Sequence, residues 1–129
     1  MTAAIDPNET FVKQSIGLAR SARTAGNHPF GALLALDGVV VLTAQNTVVT
    51  SADPTAHAET NLVADAIRQL MPDQIGRAVL YTSCEPCAMC VGKMYWAGIR
   101  SVVCSGRTGA PGPRPGPCHR RPPAAPPSP

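Results

Sequence analysis

Residues 31–44, GALLALDGVVVLTA, carry the strongest structural signal in this chain of 129 residues. Two apolar runs, 31–36 and 39–44, are separated by Asp37-Gly38, a dipeptide that favours positive φ and a tight hairpin. We therefore predict two antiparallel strands. Because both runs are almost continuously apolar, we expect both strands to be buried on both faces.

Helix-start signals and further apolar runs flank this hairpin. Asp6-Pro7 and Asp53-Pro54 each offer an N-cap and a proline at the first helical position, and Glu85-Pro86 opens a third helix. The second helix is expected to turn a stripe of apolar residues inward, namely Leu62, Val63, Ala66, Ile67 and Leu70. Short apolar runs over 78–82 and 101–105 predict two more strands.

The predicted element order is α-β-β-α-β-α-β. After the hairpin, each crossover helix places the next strand parallel. The fold class that follows is α/β, with three α/β/α layers and a mixed sheet whose first hairpin is antiparallel.

The composition changes near Gly106 and divides the chain into a body and a tail. Nine of the 14 prolines fall in residues 111–129, a stretch without Leu, Ile, Val, Phe, Tyr or Trp. Such a stretch cannot bury enough apolar surface to offset its chain entropy. We therefore expect a folded domain over 1–106 and a disordered Pro/Arg-rich tail over 107–129.

Charge is also divided unevenly. Residues 1–106 hold seven basic and eight acidic residues, so their net charge is −1, whereas residues 107–129 hold four arginines and no acid. A nearly neutral body argues against a cationic surface for nucleic acid, which is not expected as a partner. No apolar run reaches the roughly 18–20 residues of a membrane span, and the N-terminal stretch lacks the features of a secretory signal. We expect no membrane association and a cytoplasmic location.

Three of the five cysteines crowd into residues 84–90, which favours a metal site over a disulfide framework. Cys87 and Cys90 share one face of a predicted helix start, where the helix dipole favours thiolate. With His57, near the start of another helix, they form a ligand set that suits tetrahedral zinc and leaves a fourth position for water. Two alternatives are a closed structural zinc with Cys84 as fourth ligand, and a buried histidine beside two packed thiols.

Glu59 lies two residues after His57 and therefore does not share its helix face. It is a poor second ligand, but its carboxylate could reach a metal-bound water from the side. Since zinc lowers the pKa of such a water to about 7, a neighbouring carboxylate can take the proton and pass it to a leaving group.

His57-Ala58-Glu59 together with Pro86-Cys87-x-x-Cys90 resembles the cytidine deaminase-like zinc deaminases, whose signature is H-x-E…P-C-x-x-C. The resemblance covers about residues 5–106 and implies a CMP/dCMP-type deaminase domain. It also implies one zinc ion per chain, Glu59 as the catalytic proton shuttle, and hydrolytic release of ammonia from a nucleobase or nucleoside. Relatives of this kind are dimers or larger, so the resemblance implies a homodimer.

Several further strings resemble the bacterial guanine deaminase branch, among them Gly26–Ala32 (GNHPFGA), Gln45-Asn46 and Tyr95-Trp96. That resemblance implies guanine or a related purine as substrate. It also assigns four residues to substrate binding: Phe30, Asn46, Ala58 and Trp96. Three alternatives stay open: a cytosine or nucleoside deaminase, a transfer-RNA adenosine deaminase that shares the zinc motif, and a truncated zinc-binding fragment without turnover.

The sequence departs from the family pattern after the fourth predicted strand. There the family continues with another strand and C-terminal helices, whereas Gly106 leads here into proline-rich sequence without acids. We therefore expect a fold truncated after the fourth strand. Our hypothesis is that the tail arose by a frameshift or truncation; an intact reading frame in independently sequenced isolates would count against it.

Overall fold

The computed structural model describes residues 6–105 and the backbone of residues 116–117. Its helices are α1 (Pro7–Thr24), α2 (Ala58–Gln69), α3 (Pro72–Arg77) and α4 (Ala88–Ala97). Its strands are β1 (Gly31–Leu36), β2 (Val39–Gln45), β3 (Val79–Thr82), β4 (Ser101–Cys104) and the two-residue β5 (Gly116–Pro117). The predicted order of seven elements is confirmed, and α3 and β5 are additional to it.

The sheet has the strand order β2-β1-β3-β4-β5. β1 pairs antiparallel with both β2 and β3, and β3 pairs parallel with β4. β2, β3 and β4 consequently run in one direction, as the crossover helices predict. The hairpin turn is confirmed as well, because Asp37 and Gly38 both have positive φ, of 51° and 81°.

Helices cover both faces of the sheet, which confirms the three-layer α/β/α class. On one face, α2 and α4 bury Leu62, Met94 and other apolar side chains against Leu34, Leu80 and Val102 of the strands. On the other face, α1 packs Val12 and its neighbours against Leu33, Ala35 and Tyr81. No helix within residues 6–105 is long and apolar enough to cross a membrane.

The expectation that β2 is buried on both faces is wrong. β1 is almost wholly buried, but along β2 burial alternates, and Val39 and Val41 are 63% and 38% exposed. β2 is the edge strand of the described sheet, so the helix layers cover only alternate side chains. Apolar sequence in an edge strand therefore does not by itself indicate burial.

α2 begins later than predicted. Its N-cap is His57, whereas the Oδ1 of Asp53 accepts hydrogen bonds from Thr55 N and Thr55 Oγ1 at 2.8 and 2.7 Å. Asp53 closes a local turn and caps no helix. Ile67, predicted to face inward, is 53% exposed because the buried stripe of α2 passes through Leu62 and Ala66 instead.

The predicted tail falls outside the described residues except for β5. There, Pro117 pairs with Val103 and Gly116 with Cys104 in antiparallel register. The pairing of residues 116–117 departs from the disorder expected over 107–129, whereas the domain boundary at 106 and the disorder of the other tail residues stay predictions.

Gly31 lies where α1 crosses β1 at close range. A β-carbon at this position would overlap the Ser15 carbonyl oxygen and approach Ala19 N and Leu18 Cβ to 2.6 Å. Since two of these three atoms belong to the backbone of α1, the helix itself would have to move. The close packing of α1 on the sheet therefore depends on the missing side chain of Gly31.

We expect Gly31→Ala to lower the free energy of unfolding by about 1–3 kcal/mol, as overpacking does elsewhere. Gly17→Ala is the matched control, because a β-carbon on Gly17 meets nothing within 4 Å and alanine is the better helix former. Urea unfolding followed by circular dichroism measures both variants. Equal stability of the two variants would show that α1 does not approach β1 this closely.

Candidate active site

Two helix starts carry the predicted metal ligands, and the sheet places them side by side. β2 and β3 run in the same direction with β1 between them, and the chain leaves them through loops that lead to α2 and α4. Both helices pack on the same face of the sheet. His57 is the N-cap of α2, and Cys87 is the N-cap of α4. The helix predicted from Glu85-Pro86 thus begins at Ala88, with the cysteines still in its first turn.

The three candidate ligand atoms form a nearly equilateral triangle. His57 Nδ1 lies 3.7 Å from Cys87 Sγ and 3.5 Å from Cys90 Sγ, and the two sulfur atoms are 3.5 Å apart. Tetrahedral zinc, with Zn–S near 2.3 Å and Zn–N near 2.0–2.1 Å, requires separations of about 3.8 Å between sulfurs and about 3.6 Å between sulfur and nitrogen. The donor set and its spacing therefore fit a zinc ion.

Cys84 does not belong to this cluster. Within residues 6–105, the group of side chains that could hold a metal consists of His57, Cys87 and Cys90. The main-chain carbonyl of Cys84 instead accepts a hydrogen bond from Thr82 Oγ1 at 3.0 Å. The geometry thus favours an open site with three protein ligands over a closed one with four, which is the arrangement of catalytic zinc.

The pKa of the Cys90 thiol is shifted in the direction opposite to the one expected from the sequence. A helix N-terminus was expected to favour its thiolate, but burial and the neighbouring negative charge of Glu59 raise the pKa of this thiol far above its ordinary value. A cation between the sulfurs would favour the thiolate.

Glu59 is buried, being only 6% exposed, so it is not an ordinary surface acid. Its Oε1 accepts a hydrogen bond from Thr82 Oγ1 at 2.8 Å. Its carboxylate lies close enough to Cys90 to raise the pKa of that thiol. The arrangement therefore holds one carboxylate beside the ligand triangle, where it can exchange protons with a molecule bound there.

A network of side-chain hydrogen bonds holds the loop between β2 and α2. Asn61 Nδ2 donates to Gln45 O and Thr47 Oγ1, each at 3.0 Å, and Thr47 N donates to Ala56 O at 3.0 Å. Asn27 Oδ1 accepts from Val49 N at 3.1 Å and from Thr50 N at 3.0 Å. These bonds fix the chain between the end of β2 and His57.

Two predicted substrate residues lie together at one end of that loop. Asn46 N donates to Phe30 O at 3.0 Å, and Asn46 itself is 2% exposed. Its Oδ1 accepts from Val48 N at 3.0 Å, which identifies the oxygen of the amide. With Oδ1 occupied, Nδ2 is the donor that this amide can offer.

The other two predicted substrate residues differ sharply in exposure. Ala58 is fully buried between His57 and Glu59 at the start of α2. Trp96 is 73% exposed and packs edge-on against Tyr95, with 5.3 Å between ring centroids. It lies six residues after Cys90 on α4, about 9 Å along the helix axis. The described residues thus bring Phe30 and Asn46 together and leave Trp96 at the surface.

The sequence did not predict a role at the site for three polar residues, namely Thr82, Asn61 and Asn27. Each is a polar residue within apolar surroundings or within a loop motif, and that context is the only signal the sequence offers for them. A polar residue at the end of a buried strand, such as Thr82, needs a hydrogen-bond partner. The identity of that partner depends on tertiary structure.

Comparison with known proteins places the chain in a family. The family described as "Cytidine and deoxycytidylate deaminase zinc-binding region" matches residues 5–106, and the chain belongs to it. It is 46% identical over 96 residues to the guanine deaminase of Bacillus subtilis (strain 168). This alignment covers 74% of this chain and 62% of the relative. The X-ray structure of a Bacillus subtilis guanine deaminase superposes with a TM-score of 0.70 at 42% identity, covering 77% of this chain and 64% of that one.

Relatives named for other substrates match at lower identity. The probable cytosine deaminase of Schizosaccharomyces pombe is 37% identical over 93 residues, or 72% of this chain and 56% of the relative. The tRNA-specific adenosine deaminase of Bacillus subtilis is 32% identical over 96 residues, or 74% of this chain and 60% of the relative. The chain thus spans between 56% and 62% of the length of these three curated relatives.

We expect Cys87→Ser and Cys90→Ser to lose the zinc ion, because each removes one corner of the ligand triangle. Cys84→Ser is the control, since it changes a cysteine three residues from Cys87 that lies outside the triangle. Zinc content by atomic emission measures all three variants. Loss of zinc from the Cys84 variant, or full zinc in either of the others, would contradict the ligand assignment.

Proposed function

We propose that this chain is a zinc-dependent aminohydrolase that releases ammonia from a nucleobase, with guanine or a related purine preferred. One observation carries the proposal: a buried carboxylate, Glu59, lies beside a His-Cys-Cys triangle of zinc-binding dimensions. Membership of the deaminase family supports it. The preference for guanine rests on the 46% identity to a guanine deaminase.

His57 Nδ1, Cys87 Sγ and Cys90 Sγ would hold one zinc ion per chain. Such an ion, when bound, supplies a Lewis acid that lowers the pKa of a coordinated water to about 7. Three protein ligands of the four that zinc prefers leave room for this water. The residues of the chain then have two tasks, which are to move protons and to hold the base.

Glu59 performs the proton transfers. Its carboxylate takes a proton from the attacking water and gives it to a ring nitrogen of the base, and a second proton goes to the departing amine. The water oxygen forms a bond to the ring carbon, the bond from that carbon to the amino nitrogen breaks, and the nitrogen leaves as ammonia. The net reaction exchanges an amino group for a carbonyl oxygen and involves no oxidation.

Recognition of the base falls to the group around Asn46. Because Val48 N occupies its Oδ1, the amide presents Nδ2, a donor that suits a carbonyl oxygen of the substrate. Guanine and cytosine carry such an oxygen and adenine does not. Phe30, 36% exposed and joined to Asn46 through its backbone, offers a ring face for stacking. Ala58 and Trp96 are the other two residues that we propose to contact the substrate.

A second candidate is deamination of adenosine in transfer RNA, which the 32% identity to such an enzyme favours. Charge argues against it, since residues 1–106 carry seven basic and eight acidic residues. Binding of nucleic acid depends on neutralising phosphates with Lys and Arg. Adenosine also lacks the carbonyl oxygen that Asn46 Nδ2 would contact.

We further propose that two copies associate and that the protein is cytoplasmic. Met89, Lys93 and Trp96 follow one another along the outer face of α4, and Met89 and Trp96 are 39% and 73% exposed. An exposed tryptophan beside a methionine is typical of an interface. Sedimentation velocity distinguishes a dimer from a monomer, and a monomer at all accessible concentrations would refute the association.

The decisive assay offers the zinc-loaded protein guanine, cytosine, cytidine and adenosine, with ammonia as readout. We expect release from guanine above the others, and Glu59→Gln to retain zinc but lose at least about 100-fold in rate, as expected for removal of a general acid–base group. Glutamine keeps an oxygen that can accept from Thr82, so it changes proton transfer more than structure. Turnover in Glu59→Gln at the wild-type rate would overturn the mechanism.

Absence of ammonia from every substrate would overturn the enzymatic proposal. In that case, retained zinc binding would support the reading of a zinc-binding fragment without turnover.

A further inference from the structure

Thr82 connects the sheet to the candidate catalytic carboxylate. It is the last residue of β3 and is fully buried. Its Oγ1 lies 2.8 Å from Glu59 Oε1 and 3.0 Å from the carbonyl oxygen of Cys84. The hydroxyl thus lies between a carboxylate on α2 and the loop that leads to Cys87.

The backbone of Thr82 is held from both sides. It pairs with Ala32 of β1 in antiparallel register and with Cys104 of β4 in parallel register. A side chain on a central strand has less freedom than one on a loop, so the position of Oγ1 is well defined. Glu59, in the first turn of α2, receives a hydrogen bond from Thr82 at its Oε1.

The chemistry of a hydroxyl suits this place. A hydroxyl can donate its proton to a carboxylate, or accept one from a carboxylic acid while it donates to another acceptor. Cys84 O is such an acceptor at 3.0 Å. Thr82 can therefore remain hydrogen-bonded to Glu59 before and after a proton transfer, without movement of either residue. Valine has the same shape as threonine but offers neither bond.

We propose that Thr82 is a positioning residue for the deaminase reaction: it holds one oxygen of Glu59 and leaves the other for the reacting protons. This inference rests on the proposed function. It adds a residue that acts through Glu59 and touches neither metal nor substrate. Proton transfer requires heavy atoms within hydrogen-bond reach, so a carboxylate free to rotate reacts more slowly while binding is little affected.

The experiment compares Thr82→Val, which removes the hydroxyl, with Thr82→Ser, which retains it. Ser15→Ala is the control for loss of a buried hydroxyl, because Ser15 Oγ donates to Val12 O at 2.6 Å in α1, on the opposite face of the sheet. We expect Thr82→Val to retain zinc and to lose about 10–100-fold in kcat, with KM within about 3-fold of wild type. Thr82→Ser and Ser15→Ala should remain within about 3-fold in both constants.

A second measurement does not depend on activity. The chain has three glutamates, Glu9, Glu59 and Glu85, so the carboxyl signals of protein labelled with carbon-13 at glutamate can be assigned with Glu59→Gln. Thr82→Val should shift the Glu59 signal in the zinc-loaded protein, and Thr82→Ser should restore it toward wild type. The signal of Glu9, in α1, reports changes elsewhere in the protein.

The two proposals fail differently. If wild type releases no ammonia from any substrate, the proposed function fails, and the carboxyl signal alone then decides whether Thr82 holds Glu59. If wild type is active but Thr82→Val keeps its kcat, or leaves the Glu59 signal in place, the positioning role of Thr82 is overturned. A loss of kcat that serine does not rescue would also overturn it, because the effect would then reflect packing.

Discussion

The site depends on one geometric constraint, which is that two helices on the same sheet face begin close enough for the side chains of their N-caps to meet. The chain leaves β2 and β3 at the same end of the sheet, and α2 and α4 begin there with His57 and Cys87 as their N-caps. The resulting separations between the three ligand atoms, 3.5 to 3.7 Å, follow from the order of the strands more than from the ligands themselves. Ligands for catalytic metals and cofactors commonly lie at the carboxyl ends of strands in such sheets.

The charges around the ligand triangle favour a bound cation. Glu59 and Cys90 are both buried, and the carboxylate of one raises the pKa of the thiol of the other. A buried negative charge without a partner is costly, and two ionised sulfurs beside a carboxylate would be more so. A zinc ion held by the triangle would neutralise the sulfurs, and Thr82 donates a hydrogen bond to one carboxylate oxygen of Glu59.

Much of this fold and of the site can be predicted from the sequence, but not all of it. The hairpin and the residues of the cluster formed by His57, Cys87 and Cys90 were predictable because their signals are local: a turn dipeptide, a cysteine pair three residues apart, a histidine near an acid. The start of α2 was not, because Asp53-Pro54 has the local chemistry of a helix cap and serves a turn with Thr55 instead. The exposure of Val39 and of Ile67 depends on how far each helix layer extends over the sheet. No local sequence pattern encodes that extent. Thr82 and Asn61 escaped prediction because their partners lie 23 and 16 residues away, respectively.

X-ray absorption spectroscopy of the zinc-loaded protein tests the central claim most directly. The account predicts a first shell with two sulfurs at about 2.3 Å and lighter ligands at about 2.0–2.1 Å, corresponding to Cys87, Cys90, His57 and one exchangeable solvent oxygen. A shell of three or more sulfurs, or of none, would contradict it, since the metal would then be held by other residues or by a closed structural set.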